Sequence, residues 1–188
     1  MYKIVCLCGE AGTGKDTILQ ELLNKNSNFH GIVSCTTRPP REKEEDGKNY
    51  FFYSIPKFLD YVDKDLMFEH VIFNGWYYRT SCDSVRKDAI NIGVFDPEGI
   101  RILSKNKDCE LLVFRITCSD KNRLIRQLLR EENPNIAEII RRYSADQDDF
   151  ANLEFDYVPI ENESVNDLSS GVEEILAQIE RWIDQGQM

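Results

Sequence analysis

The chain has 188 residues, of which 41% are hydrophobic and 30% charged, so its composition is that of a globular protein and excludes a disordered or low-complexity chain. Its 23 Lys and Arg against 33 Asp and Glu give a formal net charge of −10, which argues against broad binding to nucleic acid or to an anionic membrane. We therefore expect neither as a partner, although a few well-placed cations can still bind a small phosphate ligand.

The predicted elements alternate between strand and helix along the chain. An apolar strand at residues 3–8 leads through a glycine-rich turn into a helix over about 14–25. Further strands are predicted at Ile32-Val33, 50–53, 90–95, 111–116 and 155–160, and helices from Pro56 and over 120–130, 136–147 and 171–183. Pro159 lacks an N–H donor, so the last strand is expected at a sheet edge or a bulge. This alternation predicts an α/β fold with a mainly parallel sheet.

The turn after the first strand carries a phosphate-binding pattern. Residues 9–15 read Gly-Glu-Ala-Gly-Thr-Gly-Lys, which fits G-x-x-x-x-G-K between a strand and a helix. Glycines let backbone N–H groups converge on phosphate oxygens, and the helix N-terminus adds partial positive charge. Lys15 would then reach the terminal phosphates. The alternative is a glycine-rich turn that happens to carry a surface lysine.

One position of this loop departs from the usual pattern. Asp16 stands where Ser or Thr usually binds magnesium, and Thr17 follows it. Asp16 could ligate or orient Mg²⁺, or it could serve as an acidic residue of the first helical turn.

A polar loop at residues 34–49 contains a second candidate site. Arg38 and Arg41 flank a di-proline, and Tyr50 lies downstream. Two guanidinium forks and a phenol hydroxyl would suit a clamp on one phosphate group. Considered alone, this segment could equally be a solvated loop with balanced charge.

Residues 34–52 also follow the pattern S-x-T-T-R-x-x-R-x-x-E-x-x-G-x-x-Y-x-F without a gap, and in this the chain resembles the guanylate kinase family. Further matches to that family occur, in the right order, at residues 68–70, 75–81, 96–99, 126–130, 141 and 155–162. The resemblance implies a P-loop nucleoside monophosphate kinase fold in a single domain, residues 1–188. Its core would comprise about 1–33, 91–125 and 143–188, with an NMP-binding insertion at about 34–90 and a helical lid at about 126–142.

The resemblance also implies an activity, which is transfer of the terminal phosphoryl group of ATP to GMP or dGMP with Mg²⁺ as the cofactor. The residues that it assigns to catalysis are Lys15, Arg130 and Arg141. Those it assigns to ATP are Gly9, Gly12, Thr13, Gly14, Lys15, Asp16 and Thr17. Those it assigns to GMP are Ser34, Arg38, Arg41, Tyr50, Glu69, Tyr78, Ser81 and Asp96. Of these, Arg38, Arg41, Tyr50 and Tyr78 would hold the phosphate, and Ser34 and Glu69 would read guanine, with Thr80 or Ser81 nearby. The candidate metal ligands are Asp16, Thr17 and Asp96.

The charge of the predicted lid agrees with that activity. Residues 121–142 carry six Lys and Arg against three Glu, a locally positive segment in an acidic chain. Phosphoryl transfer depends mostly on positioning and on charge stabilisation, so cations are needed at the transferring group. Without the resemblance, an exposed charged hairpin would explain this segment as well.

Two substitutions leave the choice of acceptor open. Arg79 stands beside Tyr78 where the family usually has glycine, and Val94 stands where it usually has the first Asp of a D-x-D pair. We expect both to lie on the acceptor side. A kinase for another nucleoside monophosphate or a ribose phosphate is therefore one alternative, and an inactive guanylate-kinase-like binding module is another. The retained cations argue against the module, and a P-loop GTPase is poorly supported.

The sequence also suggests a cellular location. The apolar run before Gly9 is only five residues long, too short for the core of a signal peptide, and the six cysteines contain no C-x-x-C pair. We therefore expect reduced thiols and a cytoplasmic protein.

Overall fold

The structure is a computed structural model that describes residues 1–40, 44–64, 67–73, 75–130, 132–163 and 169–185. Its strands are β1 (Tyr2–Cys8), β2 (Phe29–Gly31), β3 (Cys35–Thr36), β4 (Phe51–Phe52), β5 (Met67–Phe73), β6 (Trp76–Ser81), β7 (Ile90–Val94), β8 (Cys109–Thr117) and β9 (Val158–Glu161). Its helices are α1 (Lys15–Lys25), α2 (Ile55–Asp63), α3 (Pro97–Leu103), α4 (Asp120–Leu129), α5 (Ile136–Asp149) and α6 (Ser169–Gln185). None of the helices in these ranges is both long and apolar enough to cross a membrane.

A parallel sheet with strand order β2-β7-β1-β8-β9 forms the centre of the described chain. In this sheet β1 lies between β7 and β8, with Val5 opposite Ile92 on one side and Leu112 on the other. The predicted α/β fold with a mainly parallel sheet is therefore confirmed. Pro159 lies in β9 at the sheet edge, as expected for a residue without an N–H donor.

The central strand is apolar and buried from Ile4 to Cys8 because helices cover both faces of the sheet. Val5 and Leu7 point to one face, where they pack in a cluster with residues of α1 and α6 such as Ile18 and Ile175. The alternate residues of β1 point to the other face and pack with residues of α3, among them Ile100. Burying each such side chain contributes roughly 1.5–3 kcal/mol, so the two clusters hold the phosphate loop on a rigid base.

A second sheet, with order β4-β3-β6-β5, lies within the predicted insertion. Strands β5 and β6 form an antiparallel hairpin that the sequence analysis did not predict. Its signal was present as the Asn74-Gly75 dipeptide, a common hairpin turn, and Gly75 has a positive φ of 76°. Of the residues that the resemblance assigns to the acceptor, Glu69, Tyr78 and Ser81 lie in this sheet.

The strand predicted at Ile32-Val33 is displaced. The structure instead has β2 ending at Gly31 and β3 beginning at Cys35. The Ile32 N–H still donates to the carbonyl of Ile92, at 2.8 Å, so the chain follows β7 for one more residue before it leaves for the second sheet. The apolar pair therefore marks the point where the chain passes from one sheet to the other.

Candidate active site

The phosphate loop connects β1 to α1 in a tight, internally bonded turn. The carbonyl of Glu10 accepts three hydrogen bonds, from the Thr13 N–H at 3.3 Å, the Thr13 hydroxyl at 2.9 Å and Lys15 Nζ at 2.9 Å. Gly14 precedes the helix in the left-handed region, with a φ of 94°. The bond from Lys15 holds its ammonium group over the loop, beside the first turn of α1.

Helix α4 packs directly against this loop at Gly12. A Cβ atom built on Gly12, whose φ is +85°, would lie 2.5 Å from the carbonyl oxygen of Arg123. Neighbouring backbone cannot yield as a flexible side chain can, so this position needs glycine for space as well as for conformation.

We expect Gly12→Ala to lower the thermal unfolding temperature and to weaken ATP binding. Gly75→Ala is the matched control, because Gly75 also has a positive φ, of +76°, but a Cβ there meets nothing within 4 Å. That control should lose about 1–2 kcal/mol of stability through backbone strain alone. Equal losses of stability in the two variants, measured by thermal unfolding, would show that the α4 contact is unimportant.

The predicted phosphate clamp brings Arg38, Tyr50 and Tyr78 together. The Arg38 guanidinium lies 5.5 Å from the centroid of the Tyr50 ring, and the Tyr50 and Tyr78 rings meet edge to face at 6.0 Å. Arg38 also makes a two-pronged ion pair with Glu44, at 2.8 and 3.0 Å. Sequence reasoning did not assign this role to Glu44, although it is the fixed glutamate of the motif. Arg41 lies outside the described residues.

Tyr50 connects the clamp electrostatically to the phosphate loop. Burial, with a smaller contribution from the carboxylate of Asp16, raises the pKa of its phenol to about 12. The hydroxyl therefore keeps its proton at neutral pH and remains a hydrogen-bond donor. Asp16 and Thr17 are both exposed in the first turn of α1.

The residues predicted to read the base separate into two groups. Ser34 Oγ lies 3.5 Å from Thr80 Oγ1, so the structure places Thr80, rather than Ser81, beside Ser34. Ser81 instead lines a cavity of about 340 Å³ together with His30. Glu69 is paired with Thr80 across β5 and β6, but its side chain lies outside the described part of the structure.

The two acceptor-side substitutions have different surroundings from those expected. The Arg79 guanidinium is buried and lies 5.4 Å from the ring centroid of Phe58 in α2. Neighbouring residues of a strand point to opposite faces, so Arg79 lies away from the face that carries Tyr78 and Thr80. Val94 ends β7 and packs against the cluster that contains Val5. The structure thus gives both residues packing roles.

Asp96 begins α3 as its N-cap, where its carboxylate accepts a hydrogen bond from the Gly99 N–H at 2.7 Å. Burial raises the pKa of this carboxyl above its ordinary value. In the described ranges, no group of three or more His, Cys, Asp or Glu could hold a metal ion. A phosphate-bound Mg²⁺ needs only one or two protein oxygens, and the Asp16 carboxylate and Thr17 hydroxyl beside Lys15 suit that requirement.

The predicted lid consists of the end of α4 and the start of α5. Arg130 follows α4 and is exposed, whereas Arg141 forms two hydrogen bonds to the Glu138 carboxylate, at 2.7 and 3.0 Å. Glu138 also accepts a bond from Arg142, and these arginines lower its pKa to about 2. The bond to Glu138 raises the pKa of Arg141, with a smaller contribution from Tyr78 of the clamp.

Comparison with known proteins identifies this arrangement. The guanylate kinase family model matches residues 1–179. The chain is 31% identical to a guanylate kinase of Thermotoga maritima over 170 residues, covering 88% of this chain and 81% of that one. It is 30% identical to one of Rickettsia prowazekii over 182 residues, covering 93% and 91%. The chain belongs to the guanylate kinase family.

A solved structure supports the fold of this family member. The guanylate kinase of Anaplasma phagocytophilum superposes with a TM-score of 0.64 at 24% identity, covering all of this chain and 89% of that one. The P-loop nucleoside monophosphate kinase fold predicted from the sequence is therefore confirmed.

In this guanylate kinase family member, three side chains that sequence reasoning did not place at the loop hold its carbonyl groups. Asn162 donates to the Thr13 carbonyl at 2.7 Å, Arg126 donates to the carbonyls of Gly12 and Thr13 at 3.3 Å, and Arg123 donates to that of Ala11 at 3.1 Å. Arg126 and Asn162 belong to the segments that carried the resemblance, but only the fold shows what they contact. These bonds fix the backbone of the loop through its carbonyl groups.

The charges at the loop predict which group limits activity at alkaline pH. Burial lowers the pKa of Lys15 below its ordinary 10.5, against the opposing effect of Asp16 and Asp146, whereas the pKa of Tyr50 is about 12. As pH rises, Lys15 therefore loses its proton before Tyr50 does.

We expect kcat/KM for ATP to fall with an alkaline inflection below pH 10.5, because kcat/KM reports the pKa values of the free enzyme. The Tyr50→Phe variant should show the same inflection at lower overall activity. A shift of the inflection in Tyr50→Phe would assign the alkaline limb to the tyrosine instead.

Proposed function

We propose that this protein transfers the terminal phosphoryl group of ATP to GMP or dGMP, giving ADP and GDP or dGDP, with Mg²⁺ bound alongside ATP. The observation that supports this most strongly is the presence of two phosphate-binding arrangements in one chain. Lys15 lies at the start of α1, 2.9 Å from the Glu10 carbonyl of the phosphate loop, and Arg38, Tyr50 and Tyr78 come together in the clamp. A kinase needs one such arrangement for ATP and one for the acceptor phosphate.

On the donor side, the loop would bind the ATP phosphates through its N–H groups and Lys15. Lys15 would exchange the Glu10 carbonyl, 2.9 Å away, for phosphate oxygens. The Asp16 carboxylate and the Thr17 hydroxyl are the candidate ligands of Mg²⁺, which neutralises phosphate charge when bound. Asp96 already caps α3 and would act near this site rather than as the main ligand.

On the acceptor side, Arg38, Tyr50 and Tyr78 would hold the phosphate of the monophosphate, with Arg41 from the adjoining part of the motif. Glu44 pairs with Arg38 through both guanidinium prongs, and this fixes the guanidinium plane for an incoming phosphate. Ser34, with Thr80 beside it, and Glu69 would read guanine. An acceptor phosphate oxygen then bonds to the γ-phosphorus while the bond to the bridging oxygen breaks, and the electron pair leaves with ADP.

The lid would supply the remaining cations. Arg141 is bound to Glu138 in an exposed i,i+3 pair, and such pairs contribute little stability. Exchange of this partner for the transferring phosphoryl group is therefore inexpensive. Arg130, exposed at the end of α4, would join it on closure, and closure would exclude water from the reaction.

A coupled assay of ADP release tests the activity. ATP and Mg²⁺ are supplied with each of a panel of ribo- and deoxynucleoside monophosphates and ribose phosphates, with an acceptor-free blank. We expect turnover with GMP and dGMP well above AMP, CMP and UMP. Turnover confined to another acceptor would support the related-kinase alternative, and none with any acceptor would support a binding module.

We further propose that the protein acts in the cytoplasm. Support comes from the cysteines, of which Cys8 and Cys118 are free thiols, as a reducing compartment would keep them.

A further inference from the structure

A single peptide unit of the phosphate loop is held from both sides by a charged pair. The Ala11 N–H donates to Asp146 Oδ2 at 2.8 Å, and the Ala11 carbonyl accepts from Arg123 Nε at 3.1 Å. Arg123 Nη2 also donates to the same Asp146 oxygen, at 2.7 Å, so the two side chains form an ion pair. Both polar atoms of this peptide are therefore fixed by the same ion pair.

The pair is buried, which makes it costly as a source of stability. The side chains of Arg123 and Asp146 are 3% and 13% exposed. Taking two charges out of water offsets much of their attraction, so apolar residues of similar volume are often as stable. Because both side chains make hydrogen bonds to the phosphate loop, positioning of that loop is the better explanation for the buried pair.

Secondary contacts fix the arginine in this orientation. Its third nitrogen donates to Asp120 at 3.1 Å, and its guanidinium lies 5.2 Å from the ring centroid of Tyr143. The side chain of Gln127, one turn further along α4, reaches the Ala11 carbonyl at 3.4 Å. The guanidinium thus has little freedom to leave the Ala11 carbonyl.

The position of the pair connects the loop to the lid. Arg123 belongs to α4, which is followed by Arg130, and Asp146 belongs to α5, which also carries Arg141. Both helices are thereby joined to one point of the loop, at Ala11. The backbone that follows, from Gly12 to Lys15, depends on this point for its direction.

We propose that Arg123 and Asp146 form a positioning unit that orients the phosphate loop for ATP and thereby sets the affinity for ATP without setting that for the acceptor. Neither residue is a catalytic residue, because both act through other groups: the Ala11 peptide for the pair and, for the charge of Asp146, Lys15 as well. That the ligand of the loop is ATP rests on the proposed function.

A double-mutant cycle tests the proposal. The variants are Asp146→Ala, Arg123→Met and the double variant, with Asp148→Asn, an exposed change on the same helix, as the matched control. Equilibrium titration with β,γ-methylene-ATP measures donor binding without turnover, so its result stands even if the protein phosphorylates no acceptor. KM for GMP and the thermal unfolding temperature are measured alongside.

We expect each single variant to bind the analogue about tenfold more weakly, since each loses a hydrogen bond to a charged group. The double variant should lose about the same factor, because the two residues act as one unit. KM for GMP should stay within about twofold throughout, and Asp148→Asn should match the parent.

Three results would overturn the proposal. The first is that the variants bind the analogue as tightly as the parent does. The second is that the affinity for the analogue and KM for GMP worsen by equal factors. The third is that the double variant loses affinity for the analogue by the product of the two single factors. A single variant could fail to fold because it buries an unpaired charge. The double variant buries no charge at this place, so its affinity for the analogue then decides the question.

Discussion

Lys15→Ala is expected to lower kcat by about a hundredfold or more while the protein stays folded. The ammonium group lies over the loop on the Glu10 carbonyl and is not part of either apolar cluster. Its loss removes a preorganised positive charge from the transferring phosphoryl group, and such donors are worth about 10²–10³ in rate. Steady-state kinetics with ATP and GMP, together with thermal unfolding, measure the two effects.

Lys25→Ala is the control for this variant, because Lys25 is an exposed lysine in the last turn of the same helix. It should keep parental kcat and parental stability. Parental activity in Lys15→Ala would show that Lys15 of the glycine-rich turn does not act on the transferring phosphoryl group.

Glu69→Gln is expected to raise KM for GMP or dGMP steeply and to narrow the preference for guanine over adenine. Guanine offers two adjacent donors, N1–H and the N2 amino group, which one carboxylate can accept together. Adenine presents an unprotonated N1 at the matching place and would leave a buried carboxylate unpaired. Sites of this kind can discriminate by roughly 10⁴. Thermal stability should barely change.

Arg38→Met separates base reading from phosphate binding. Arg38 lies in the clamp with Tyr50, so its loss should weaken GMP and AMP by similar factors and leave their ratio unchanged. The measurement is kcat/KM for both acceptors in each variant. A parental guanine-to-adenine ratio in Glu69→Gln would remove Glu69 from base recognition.

The sequence predicted those features of the fold that depend on local pattern. Glycines before a lysine, between an apolar strand and an amphipathic helix, predicted the phosphate loop and the start of α1 at Lys15. Pro159 predicted an edge strand because proline cannot donate to a ladder. In each case a property of one residue type determines the conformation.

Features that depend on partners far apart in the chain were not predicted. In the sequence, Asp146 is one of several charged residues on an amphipathic helix. Only the packing of α5 brings it into contact with Ala11, which lies 135 positions earlier. In the same way, the choice between Thr80 and Ser81 beside Ser34 was open in the sequence, because it depends on the register of β6, where a one-residue difference turns a side chain to the other face.

The central claim is phosphoryl transfer to a guanine nucleotide, and the most direct measurement follows the phosphorus itself. The protein is incubated with Mg²⁺, GMP and ATP labelled in its γ-phosphate, and the products are separated by chromatography. We expect label in the β-phosphate of GDP, in amounts equal to the ADP formed, and far less label transferred when AMP replaces GMP at the same concentration. Label released only as inorganic phosphate, or label retained in ATP, would contradict it.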